Sequence, residues 1–250
     1  MRVEQLLSET ARRSGDEPAI VSGAKSHSYA EIDRKSDRLA AAFASQCVRR
    51  GDSVGAFLDD VHAAVVTAFA VIKAGAAFCP VDPATSADDL AAILAASRAV
   101  GIVTEGRLAS TAALALCSVP AVKLVVLVGG DRSAASDGCL SFEEAVTRFV
   151  GVRPRPEGEG HDPALIVCEA GLDGGAVTTA YTHDDLVAAS ADGDAALAGT
   201  PPISTHAGFC RLLGAIRAGA PYIVGSRTLS PGPRFGLRAS DRLLRPAFAR

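Results

Sequence analysis

The segment Ala164-Leu-Ile-Val-Cys-Glu-Ala-Gly-Leu-Asp-Gly-Gly-Ala-Val-Thr-Thr-Ala-Tyr-Thr-His183 places Gly171, Gly174 and Gly175 just after an apolar run. A glycine-rich turn lets the backbone approach a phosphate closely, because glycine takes positive φ and carries no side chain. This turn also carries two carboxylates, Glu169 and Asp173, and no cation between residues 169 and 178. Other reactive side chains are scattered. Cys47, Cys79, Cys117, Cys139, Cys168 and Cys210 stand singly with no pair at zinc spacing, which reads as reduced structural thiols. His27, His62 and His161 have no partners at metal spacing, so no metal site is expected.

These residues need elements to hold them. Val3 to Arg13 reads as a helix, with Leu6, Leu7 and Ala11 at helical spacing. Pro18–Ser22 and Lys25–Tyr29 read as a strand pair across Gly23. Ser28-Tyr-Ala-Glu31 is a capping box opening a helix to Val48, with Ile32, Leu39, Ala40 and Phe43 inward and Asp33, Arg34 and Lys35 starting the wet face. A strand over 53–58, a helix over 61–73 before Gly75, and a helix from the box Ser86-x-x-Asp89 follow. Next come a strand at 100–104, a helix near 107–117 and a strand at 123–128; Ser141-x-x-Glu144 starts a short helix after a polar loop, Gly129–Gly138. Asp59-Asp60 and Asp88-Asp89 read as helix N-terminal charges. Strands are expected at 164–167 and 176–181, and a helix from Thr182, its N-cap, with His183 as the neighbour of that cap. The rhythm predicts an α/β fold, a mostly parallel sheet flanked by helices.

The expected divisions are an α/β subdomain over 1–151, a linker loop over 152–162, a partial second α/β segment over 163–226 and an irregular tail over 227–250. Across 250 residues, 48% hydrophobic and 21% charged composition argues for a globular chain rather than a disordered one. A net charge of -3 with dispersed arginines argues against nucleic-acid binding. The longest apolar stretch, 61–77, is interrupted by His62 and Lys73, and the N-terminus lacks a secretory h-region, so no membrane span and a cytoplasmic location are expected.

Three blocks, in order, resemble the N-terminal half of the adenylate-forming superfamily of acyl-CoA synthetases, luciferases and nonribosomal peptide synthetase adenylation domains. Ser28-Tyr-Ala-Glu-Ile-Asp33 with Ser36-Asp-Arg-Leu-Ala40 and Gly51-Asp-Ser-Val54 resembles "TYAELD…S.RLA…GV..GD.V". Ile72-Lys-Ala-Gly-Ala-Ala-Phe-Cys-Pro-Val-Asp-Pro83 resembles "LKAGAAYVPLDP", and residues 164–183 align on the phosphate-loop block "ALIVYTSGTTGxPKGVxxTH". A fainter likeness joins Pro202–Gly208 and Arg217–Val224 to the region walling the acyl pocket, which implies His206 as a pocket residue, while the residue by itself reads equally as a surface loop histidine. The resemblance implies the fold of the family's first subdomain and part of its second.

Within that block the family's hydroxyls, glycine amides and lysine embrace the ATP phosphates. Here Gly171 and Gly174 keep the family's glycines, while Gly175 lies beside them. Glu169 and Ala170 replace a threonine and serine, Leu172 and Asp173 replace two threonines, Val177 replaces the lysine and Thr178 the last glycine. Cys168 replaces a tyrosine and reads as a buried thiol. The family's later adenine, ribose and magnesium motifs and its catalytic lysine are not found before Arg250. The reading is therefore a truncated relative without adenylating activity alone, serving as a binding or interaction module for a related ligase or carrier protein, or as a homo-oligomer. No cofactor is then expected. The alternatives are a ligase subunit completed by a second chain, which would need ATP and Mg, and a gene remnant.

Overall fold

The computed structural model describes residues 1–129, 139–148, 158–170, 176–191 and 201–224. The chain runs through α1 (Val3–Arg13), β1 (Pro18–Ser22), β2 (Lys25–Ser28), α2 (Tyr29–Ser45), β3 (Ser53–Phe57), α3 (Val61–Lys73), β4 (Ala77–Val81), α4 (Ala87–Ala96) and β5 (Ala99–Glu105). A 3-10 turn leads to α5 (Ala109–Leu116), β6 (Leu124–Val128), β7 (Cys139–Ser141) and α6 (Phe142–Arg148). Then follow β8 (Pro163–Ala170), β9 (Ala176–Thr182), α7 (His183–Ala189), α8 (His206–Ala218) and β10 (Tyr222–Val224).

Seven strands form one sheet in the order β7-β6-β5-β3-β4-β8-β9, parallel except for the β8/β9 hairpin. Strands β3 and β4 are buried at every position, as continuous apolar strands covered on both faces must be. On one face α4 and α5 pack through Leu90, Ile93, Leu94 and Ala112. Residues of α1, α2, α3, α6, α7 and α8 share the larger core, on the other face. A small sheet, β10-β1-β2, joins β10 to β1 in parallel. Strand β8 pairs with β4 at Phe78 and Leu165, so residues after 162 extend both sheets begun before 152.

Two polar staples hold the helical layer. Lys73, at the end of α3, is buried, and its Nζ donates to Asp33 Oδ1 (2.7 Å), Asp37 Oδ1 (2.7 Å), Ser36 Oγ (2.9 Å) and the Asp33 carbonyl (3.0 Å). Ser8 of α1 donates to the same Asp33 carboxylate at 2.9 Å. Asp33 thus belongs to the interior, not to the wet face expected from its helical position. The second staple is Tyr29: fully buried, its hydroxyl donates to the Ala220 carbonyl at 2.7 Å and approaches that of Ala215 at 3.3 Å. It satisfies carbonyls where α8 ends, a turn made by Gly219 at φ 69°.

Several boundaries differ from the sequence reading. Helix α2 stops at Ser45, not Val48, because Cys47 takes a left-handed conformation with φ 63°. Its capping box is completed on one side: Ser28 accepts from the Glu31 amide, but the Glu31 carboxylate turns to His27 and Lys35. Strand β7 and helix α8 were not expected. The polar loop lies outside the described residues from 130 to 138, as do 152–157 of the linker and the whole of the tail, 227–250.

Candidate functional site

The segment that resembles the family's phosphate loop lies between the antiparallel strands β8 and β9 at the end of the large sheet. The register sets Cys168 against Thr178, Glu169 against Val177 and Ala170 against Ala176. Gly171, Leu172, Asp173, Gly174 and Gly175 lie outside the described residues. The two ends of the loop are therefore fixed by strand pairing, and the side chains that flank its mouth are Glu169 and Val177. Directly opposed residues of an antiparallel pair have Cβ atoms roughly 4.5–5.5 Å apart and share a face. Val177 is 53% exposed, and Thr178, Thr179 and Ala180 beyond it are exposed too. At the position of the family's lysine, a solvent-facing apolar side chain thus stands beside a carboxylate.

Cys168 occupies the opposite face, packed with Ile166 and Ala176 on the α4 side. It is half-buried and meets Cys79 of β4. The Cys79 thiol donates to Cys168; that contact and burial push Cys79 well up, while the same contact, against the effect of burial, draws Cys168 down. Cys168 therefore sits in a thiol pair rather than in a purely apolar setting.

Beyond the hairpin, Thr182 caps α7 with both arms of a capping box. Its Oγ1 accepts from the Asp185 amide at 3.1 Å, and its amide donates to Asp185 Oδ2 at 2.9 Å. His183 is more than the neighbour of a cap. It is 3% exposed, and its Nδ1 accepts from the Val3 amide at 3.3 Å. It thereby satisfies an orphan donor at the start of α1. Burial, with Arg2 nearby, lowers its pKa to about 4, so the ring is neutral and free to accept. Asp162, before β8, is bound by both guanidinium arms of Arg50 at 2.8 Å and is held at about 2, chiefly by that contact.

His206 is the first residue of α8, behind the N-cap Thr205, whose Oγ1 accepts from the Gly208 amide at 3.1 Å. Its ring stacks on Tyr181 of β9 at 4.0 Å and lies 3.3 Å from Cys210 Sγ. An added Cβ on Gly208 would collide with the Pro202 carbonyl, so the 201–204 segment lies directly against α8. That segment walls an apolar cavity at the carboxyl ends of β3 and β4, with Leu58, Phe78, Val81, Ile203, Tyr222 and Val224 among its lining. His206 is not among the residues that line it.

The sheet has a second place where a ligand is commonly bound. Connections from β3 and β5 leave on opposite faces, through α3 and α5, and the crevice outside their carboxyl ends is a topological switch point. Here the chain fills it with its own charges. Glu105 accepts from the Asp59 and Asp60 amides at 3.2 and 3.1 Å, and Arg107 bridges Glu105 and Asp59 at 2.6 Å each.

A family model for AMP-binding enzyme matches residues 7–237. N-(5-amino-5-carboxypentanoyl)-L-cysteinyl-D-valine synthase of Streptomyces clavuligerus is 30% identical over 192 residues, 74% of this chain and 23% of the synthase. Phosphinothricin tripeptide synthetase PhsC of Streptomyces viridochromogenes is 38% identical over 104 residues, 42% of this chain and 10% of that protein. Among solved structures, apo MbtA of Mycobacterium smegmatis superposes with a TM-score of 0.77 at 28% identity, covering 89% of this chain and 43% of MbtA. The anthranilate CoA ligase AuaEII in complex with anthranoyl-AMP shares the fold at TM-score 0.81 and 16% identity, over 90% of this chain and 45% of the ligase. The chain thus spans less than half the length of these relatives. No helix among the described residues is long and apolar enough to cross a membrane.

Proposed function

The chain belongs to the AMP-binding enzyme family, and we propose that its phosphate loop does not hold a nucleoside triphosphate and that the fold serves as a binding or interaction module. The pairing of Glu169 with Val177 carries this reading. A carboxylate within ~4 Å of a phosphate oxygen repels it by about 4 kcal/mol at an effective dielectric of about 20. Loss of one donor that stabilises developing charge slows a reaction by roughly 10²–10³. Here a cation and several hydroxyls are replaced, and Glu169 and Asp173 add two anions. Among the described residues β9 is the end strand of its sheet, with Val177 to Ala180 exposed, which suits addition of a strand from a related ligase, a carrier protein or a second copy.

A second reading rests on the apolar cavity at the ends of β3 and β4. In it the chain supplies an acyl-binding wall to an adenylating ligase whose ATP and Mg contacts come from residues outside this segment. Fluorescence titration with N-methylanthraniloyl-ATP and magnesium tests the first reading. No saturable signal is expected, and saturation at micromolar nucleotide would overturn it. Pyrophosphate exchange that arises only on mixing with a chain carrying the family's later motifs would establish the second.

A further inference from the structure

Two of the three histidines that have no partner in the sequence meet in the fold. His27 on β2 and His62 in the first turn of α3 stack with ring centroids 3.7 Å apart and 24° between planes. Glu31, in the first turn of α2, completes the group: its Oε1 lies 3.0 Å from His27 Nδ1 and 3.9 Å from His62 Nε2. One ligand atom from each residue lies within 4.8 Å of both others, and all three residues are half-buried. Lys35, one turn further along α2, already brings a positive charge among them. Its Nζ is 2.6 Å from Glu31 Oε1 and 3.3 Å from His62 Nε2.

We propose that His27, Glu31 and His62 form a binding site for a borderline divalent metal ion of the zinc type, with the Lys35 ammonium as the resident it displaces. Two imidazoles and one carboxylate make a donor set suited to zinc, cobalt(II) or nickel, whereas magnesium and calcium prefer oxygen alone. Tetrahedral bonds of about 2.0–2.1 Å set neighbouring ligand atoms roughly 3.3 Å apart. The observed 3.0 and 3.9 Å bracket that spacing. Binding turns the rings out of their stack, so that both nitrogens converge on the ion, and swings the lysine stem to solvent. Lys35 is 26% exposed and free to make that move. Three protein ligands leave the fourth position for water. The ion ties the β1–β2 hairpin to the starts of α2 and α3.

Titration of the full chain, reduced, with cobalt(II) chloride and then zinc chloride tests the assignment. One equivalent is expected to bind at micromolar concentration, with visible tetrahedral cobalt bands and without the near-ultraviolet charge-transfer band of a thiolate. At 100 times Kd the zinc form is expected to melt at least about 5 °C higher. His62→Gln weakens binding at least tenfold, while Lys35→Met, which removes the competing charge, tightens it severalfold. The Lys35→Met arm keeps the test valid should His62→Gln fold poorly. Binding unchanged in both variants, a thiolate band, or no binding below 1 mM would overturn the proposal.

Discussion

Glu169 and Val177 stand directly opposite each other across β8 and β9, at the mouth of the turn where the family holds its phosphates. Among the described residues the scaffold around them is well formed. Strands β3 and β4 are completely buried, β8 joins them, and α7 opens with a complete capping box.

Lys73→Met should be among the most damaging single changes away from the loop. It leaves Asp33, buried, and Asp37, largely so, without the ammonium that both approach at 2.7 Å. Removing one partner of a buried ion pair typically destabilises by about 3–5 kcal/mol. Asp37→Asn, which leaves the Asp33 contact in place, is expected to change stability by about 1 kcal/mol. Urea unfolding followed by circular dichroism measures both.

Tyr29→Phe deletes the hydroxyl that closes α8 onto α2. The Ala220 carbonyl then loses a buried donor, a loss of about 1–3 kcal/mol. The effect should be local as well as global. Amide hydrogen exchange is expected to accelerate most in residues 215–224, where α8 ends and β10 pairs with β1.

Stability should decline as pH falls from about 6.5 towards about 4. His183 and His62 are both held near 4 in the folded chain, His183 by burial and Arg2, His62 by burial with Lys35 and His27. In that window the unfolded chain takes up protons that the folded chain excludes, so the stabilisation is complete above the ordinary imidazole value and is lost on acidification. His183→Asn keeps an acceptor for the Val3 amide but cannot titrate. It should roughly halve the fall in urea midpoint between pH 7 and pH 5; an unchanged fall would remove His183 from the account.

Much of the frame is legible in the sequence because it rests on local rules. Helices α1 and α3 begin and end where apolar spacing, Asp60 and Gly75 place them. Helix α8 carries the same signal in Phe209, Leu212, Leu213 and Ile216, but Gly208 and Gly214 lower its propensity and hide it. Strand β7 has only three residues, too few for an alternation to register. What stays hidden is long-range. Asp33 looks solvent-facing until Lys73, forty residues away, is packed onto it, and His27 meets His62 only when α3 lies along α2. His183 reads as a helix-start residue because its real partner, the Val3 amide, is 180 residues distant. The substituted loop is legible directly, since residue identity alone removes its cation. The pairing of Glu169 with Val177 needed the hairpin register.

The central claim is tested most directly by calorimetric titration of Mg·ATP into the wild-type chain and into the triple variant Glu169→Thr, Asp173→Thr, Val177→Lys. The wild-type chain is expected to show no saturable heat up to about 1 mM, a free energy of binding weaker than about -4 kcal/mol, and the triple variant to bind at least tenfold tighter than that limit. Micromolar binding by the wild-type chain would contradict the account.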